Sequence, residues 1–176
     1  PTIDKGSRIN INLAELIVNQ SLVPIRPVGR AFPGVNVSDQ ETDWQHNYRC
    51  PDIAAFLNGT SAQDRQTHWF GGPDFAIEIV SPQDRSEEKL PFYARVGTRE
   101  LMLIHRDPWE LVCYRLQDNV LVESCRSTIE RSHIIVSEVI PLNWQLVELD
   151  GRPAIHITHQ DGKQQWTIES SPISMN

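Results

Sequence analysis

The stretch Gly71–Gly97, "GGPDFAIEIVSPQDRSEEKLPFYARVG", decides how the chain is read. Phe75–Val80 is rich in apolar and β-branched residues and is cut off by Ser81-Pro82, where the residue before proline is pushed out of helical conformation. That predicts a strand. Alternate strand residues share a face, so Asp74, Ala76, Glu78 and Val80 point one way and Phe75, Ile77 and Ile79 the other. One face is wholly apolar, and the other carries both acids. The segment after it predicts a helix, with Asp84 and Glu87 spaced as a capping box and Gly97 as the stop. Pro91 lacks an amide hydrogen, so either this helix kinks or its regular part begins near Leu90.

Reading outward, "RCPDIAAFLNGT" (Arg49–Thr60) predicts a second strand, with Pro51 at its beginning and a tight turn at Asn58-Gly59. "SAQDRQTHWFGG" (Ser61–Gly72) is the loop between the two. Downstream, "RELMLIHRD", "ELVCYRL" and "VLVESCRSTIE" predict three strands that pair, and "VIPLNWQLVEL" a further strand region. "PAIHITHQDGKQQWTIE" predicts a hairpin turning at Asp161-Gly162. Near the start, Ile9, Leu13, Leu16 and Ile17 form the stripe of an amphipathic helix ending near Gln20. The three prolines among residues 23–47 exclude a long helix there and predict extended pieces and loops. Helix, strands, helix and strands in this order give an α/β or α+β class built on one mixed sheet, and we expect α/β.

At 176 residues, with 39% hydrophobic and 22% charged residues, the chain has the composition of one globular domain that needs no staples. We expect one domain over residues 1–176, with a core at 9–150 and a C-terminal hairpin at 151–170. No apolar run has the length of a membrane span, and the start shows no signal-peptide pattern, so no membrane association and a cytoplasmic location are expected. Three cysteines without CxxC spacing argue for free thiols. A net charge of −7 means that any grip on a polyanion needs a local basic surface or a bridging cation.

Glu78 poses the chemical question, because a carboxylate inside a packed sheet is costly unless paired, hydrogen-bonded or bound to metal. Asp74 lies four residues away, about 13 Å along an extended strand, too far to ligate the same ion without a bulge. Asp52, opening the neighbouring predicted strand, is the better candidate. Two carboxylates with a backbone carbonyl form a hard-oxygen set suited to magnesium, which keeps several waters and takes phosphate as a further ligand. A lysine at Lys89 is placed to steady an attacking hydroxide or the charge on a phosphate.

The order Pro51-Asp52, "PDFAIEIVSP", Glu88-Lys89 and "YARVGTREL" resembles the Uma-two family of restriction-endonuclease-like proteins, a branch of the PD-(D/E)XK nuclease superfamily. Residues 49–116 carry the likeness. The usual motif has its lysine two residues after the acid, where this chain has Val80, and in this branch the lysine looks to have moved to Lys89 on the following helix. The resemblance implies a restriction-endonuclease-like mixed β-sheet flanked by helices, with additional C-terminal strands. It implies Asp52 and Glu78 as metal ligands for magnesium or manganese, and Asp52, Glu78 and Lys89 as catalytic residues. Asp74 matches the pattern as an additional acid of open role. DNA as substrate and a homodimer are further implications. His105 stands where relatives often carry aspartate.

Other readings stay open. The acids and lysine could form a buried ion network in a non-catalytic domain that binds nucleic acid or protein, or serve a hydrolase of a smaller phosphodiester. His156 and His159 have HxxH spacing, which on a strand puts them on opposite faces. His68, Trp69 and Phe70 could stack a base or anchor a loop, Ser81 has no histidine near it in sequence, and Glu15 reads as a solvated face residue. Arg85, Arg95, Arg99 and Arg106 offer phosphate contacts or surface ion pairs.

Overall fold

Alternation of apolar and polar residues, broken by Gly, Pro and Asn-Gly, divides most of this chain into short strands. A computed structural model of the chain describes residues 13–15, 17–22, 28–81 and 85–169. The strands are β1 (Gly29–Pro33), β2 (Val37–Ser38), β3 (Tyr48–Arg49), β4 (Ile53–Leu57), β5 (Gln63–Asp64), β6 (Trp69–Phe70) and β7 (Phe75–Val80). They continue with β8 (Glu100–Arg106), β9 (Trp109–Gln117), β10 (Val120–Thr128), β11 (Ile135–Val136), β12 (Leu142–Leu149), β13 (Arg152–His159) and β14 (Gln165–Glu169). The principal sheet has the order β1-β4-β7-β8-β9-β10. It is mixed: β7 and β8 run parallel, and the other pairs are antiparallel.

A parallel pair needs a crossover, and the segment after Ser81 supplies it. Ser86–Lys89 forms a 3-10 turn, and a regular helix follows only over Leu90–Arg95, with Pro91 in its first turn. Of the two outcomes open to a proline at this position, the late start is the one adopted, because the first-turn amides have no intrahelical partner to lose. Gly97 ends the helix at φ +84°, a left-handed conformation that glycine adopts without steric cost. Asp84 of the expected capping box lies outside the described residues.

Both faces of the sheet are covered. Phe75, Ile77 and Ile79 join Ile53, Met102 and Ile104 in a buried cluster with Leu142, Trp144, Leu146, Ile155 and Ile157 from a second, antiparallel sheet of order β11-β12-β13-β14. Phe75 and Trp144 stack at 6.1 Å between ring centroids. Leu13, Ala14 and Ile17 of the N-terminal helical segment complete that core, with Glu15 exposed as expected, while Ile9 and Leu16 lie outside the described residues. The additional C-terminal strands are therefore a packing layer on one face of the mixed sheet, and the crossover helix covers the other. The opposite face, with Ala54, Ala76, Val80, Leu101 and Leu103, packs on Phe92, Tyr93 and Ala94 of the crossover helix. A small sheet of order β3-β2-β6-β5 draws β2 from the segment read as loops and extended pieces, and β5 and β6 from Ser61–Gly72, read as a loop. Its Trp69 stacks on Phe56 at 3.7 Å and His68 on Trp44 at 4.6 Å, so this aromatic cluster anchors the segment to the core.

Candidate active site

Strand register brings the two acids together. β4 and β7 pair with Ile53 opposite Ile77, so one step further Asp52 stands across from Glu78, where the β4 ladder has ended. There the Asp52 carboxylate takes over the role of a strand backbone: its Oδ2 accepts the Ile79 amide hydrogen at 2.7 Å. Because amide and carbonyl of one strand residue point to the same edge, the Ile79 carbonyl also faces the Asp52 side.

Glu78 projects toward the crossover helix and is 3% exposed. Lys89 Nζ donates to its Oε2 at 2.8 Å, and the Tyr93 hydroxyl donates to its Oε1 at 2.5 Å. Lys89 sits at the junction of the 3-10 turn with the helix, and Tyr93 one turn on. Pro91 between them thus leaves the reach of Lys89 intact. Burial pushes the Glu78 carboxyl above its ordinary range; Lys89 and the hydrogen bonds of Lys89 and Tyr93 oppose that shift, and the Asp52 charge adds to it. Burial, with Glu78 beside it, drives the Tyr93 hydroxyl well above its usual value. Tyr93 is therefore a neutral donor at any ordinary pH.

Asp74 is not part of this cluster. It is buried at the other end of β7, where Oδ2 accepts the Leu57 amide hydrogen at 2.8 Å and Arg99 Nη1 lies 3.7 Å from Oδ1. Its carbonyl accepts the amides of Arg99 and Glu100. These contacts tie the end of β4 to the starts of β7 and β8, a structural task.

A family model described as "Uma2: Putative restriction endonuclease" matches residues 1–150. The chain belongs to the Uma2 family. Among solved structures, a similar chain is described as a putative nuclease belonging to DUF820 from Anabaena variabilis, with 19% identity, 76% of this chain and 72% of that chain covered, and a TM-score of 0.48. No functionally curated protein matches.

Within this Uma2 site, Tyr93 is the residue that reading for acids and lysines passes over. The signal was present, because four residues after Lys89 is one helical turn, on the same face. The Cys50 thiol, near these acids, is raised first by desolvation and then by the Asp52 and Glu78 charges. All three cysteines are free thiols. The two histidines of "IHITH" do not meet. His156 Nδ1 lies 3.2 Å from Thr167 Oγ1, whereas His159 pairs with Asp161 at 2.7 Å.

Among the described residues no group of three or more His, Cys, Asp or Glu is arranged to hold a metal ion. The donors at hand are two carboxylates on adjacent strands and a backbone carbonyl on the same edge. That is a hard-oxygen set of the magnesium kind, in which water and phosphate fill the remaining positions. Burial is the main cause of the raised Glu78 carboxyl, and the Asp52 charge adds to it; a divalent cation would offset both the desolvation of the carboxylate and that repulsion. The residues fit such an ion. They do not resemble the closed nitrogen and sulfur cage of structural zinc. No described helix is long and apolar enough to cross a membrane.

Proposed function

We propose that this chain is a metal-dependent endonuclease that hydrolyses DNA phosphodiester bonds, with Asp52, Glu78 and Lys89 as its catalytic group. The observation that carries the reading is the Lys89–Glu78 contact at 2.8 Å on a carboxylate that is almost fully buried and faces Asp52 across a strand pair. Membership of a family described as "Putative restriction endonuclease" supports it.

Asp52 and Glu78 would hold the divalent cation, magnesium or manganese. Such an ion supplies Lewis acidity toward water and toward the phosphate oxygens. The chain's own groups do the rest. The Ile79 amide fixes one oxygen of Asp52, and Lys89 and Tyr93 fix the two of Glu78, so both carboxylates are oriented before substrate arrives. The Lys89 ammonium, 26% exposed at its side chain, stands at the mouth of the pocket. From there it offsets negative charge that grows on the phosphate in the transition state and orients the attacking water.

The net charge of −7 bears on the substrate. A single acidic copy holds a duplex poorly, and a homodimer acting on cytoplasmic DNA answers that by presenting two sites. The same charge favours, as the second reading, a smaller phosphodiester that needs only the pocket. We treat residues 1–176 as one domain, since both large sheets share a core.

Plasmid nicking with magnesium or manganese, run beside calorimetric titration of manganese, tests the reading in wild type and Glu78→Ala. Wild type is expected to bind the ion and nick the plasmid, and the variant to do neither. Equal binding in both proteins would overturn the metal role of Glu78 and the nuclease with it. Binding by wild type without cleavage of any nucleic acid would leave the smaller phosphodiester.

A further inference from the structure

Four arginines follow the site in sequence, and the structure sorts them. Arg85 Nη1 faces Glu88 at 3.4 Å, Arg95 Nε faces Asp39 at 2.6 Å, and Arg99 faces Asp74 at 3.7 Å. Each has its charge answered by a carboxylate. Arg106 differs. Among the described residues no carboxylate is within ion-pair distance of it, its Nη2 donates only to Ser81 Oγ at 3.4 Å, and its Nε is buried with no hydrogen-bond partner.

Its position gives this a meaning. Arg106 is the last residue of β8, and since Val80 stands beside His105 in the parallel pair, Arg106 and Ser81 flank the end of the sheet where Asp52 precedes β4. By strand alternation Arg106 leaves β8 on the face of Met102 and Ile104, whereas Lys89 approaches from the helix face. The two cations thus meet the Asp52 end of the sheet from opposite sides. Burial lowers the Arg106 pKa and the Asp52 charge raises it, which means that the guanidinium lies within the field of the site carboxylate. A half-buried guanidinium with an unfilled donor and, among the described residues, no carboxylate within ion-pair distance has a planar fork that matches a phosphate.

We propose that Arg106 is a substrate-positioning residue that grips a backbone phosphodiester of the nucleic acid bound over Asp52 and Glu78, on the side of the site opposite Lys89. This rests on the nuclease reading above and names one contact that the substrate makes.

Anisotropy of a fluorescein-labelled DNA duplex tests it, with calcium replacing magnesium so that binding is read without cleavage. Affinity is measured in wild type, Arg106→Gln and Arg85→Gln over about 50–200 mM salt. Loss of one phosphate contact lowers the slope of log affinity against log salt by about one and weakens binding about tenfold at fixed salt. Arg106→Gln is expected to show both changes, and Arg85→Gln, whose charge is already answered by Glu88, neither. A merely structural arginine leaves the slope alone, so an unchanged slope in Arg106→Gln would overturn the assignment while the nuclease reading stands. A wild type that binds no duplex at any salt would overturn both. If Arg106→Gln does not fold, Arg106→Lys carries the test: it keeps the charge and loses the fork, so a several-fold loss of affinity with an unchanged slope is expected, and unchanged affinity would overturn the proposal.

Discussion

Replacing Tyr93 with Phe removes one oxygen atom from a fully buried side chain and leaves Glu78 Oε1 without the 2.5 Å hydrogen bond it accepts. A hydrogen bond to a charged group contributes about 1.5–3 kcal/mol, and leaving a buried carboxylate oxygen unsatisfied sets the loss toward the upper end. Phenylalanine no longer has a hydroxyl to desolvate, which offsets part of this and brings the net cost to about 2 kcal/mol. For a chain of this size that corresponds to a fall in melting temperature of about 4–8 °C. The assay is thermal unfolding of the EDTA-treated protein at neutral pH, followed by circular dichroism. Tyr114→Phe is the control, because the Tyr114 hydroxyl makes no hydrogen bond among the described residues, and it is expected to change stability by less than about 0.5 kcal/mol. Equal melting temperatures for wild type and Tyr93→Phe would refute the idea that this hydroxyl holds the carboxylate, and the pre-oriented site would lose one of its supports.

Two more outcomes follow from the same geometry. The Glu78 carboxyl is raised in the folded state above its ordinary 4.5, so the fold binds its proton more tightly than the unfolded chain does. This stabilisation is complete below pH 4.5 and is lost as pH rises through the folded-state value. In the metal-free protein, denaturant titrations are expected to show Glu78→Gln gaining stability relative to wild type as pH is raised from 4.5; a difference that stays flat with pH would contradict the raised carboxyl. Asp74→Ala removes an acceptor for the Leu57 amide and should lose about 1–3 kcal/mol in urea unfolding. Its plasmid nicking per folded molecule should match wild type, and a loss of nicking with normal stability would return Asp74 to the catalytic group.

Much of the architecture is written in local patterns. Alternation over Phe75–Val80 separates a face that packs on the second sheet from one that packs on the crossover helix, and the core clusters follow that division. Asn58-Gly59 and Gly97 mark a turn and a helix end with glycine φ angles of +86° and +84°. Such features need only neighbours within a few residues, so a one-dimensional pattern carries them. Pro91 restricted the helix to two outcomes, and packing of Phe92, Tyr93 and Ala94 onto the sheet accompanies the late start.

The site required contacts between distant residues. Asp52 and Asp74 both read as acids of a PD pair, and strand spacing alone, about 13 Å from Glu78, already made Asp74 the poorer ligand. What the spacing left open is the antiparallel register, Ile53 against Ile77, which puts Asp52 next to Glu78. Four arginines of equal chemistry became distinct once Glu88, Asp39 and Asp74 were found beside three of them. Residue identity and spacing therefore determined the strands, the turns and the set of groups able to do chemistry. Which of those groups share a pocket was decided by strand register and helix placement, because a side chain's electrostatic partners are chosen by proximity in space across stretches of chain that no local period connects.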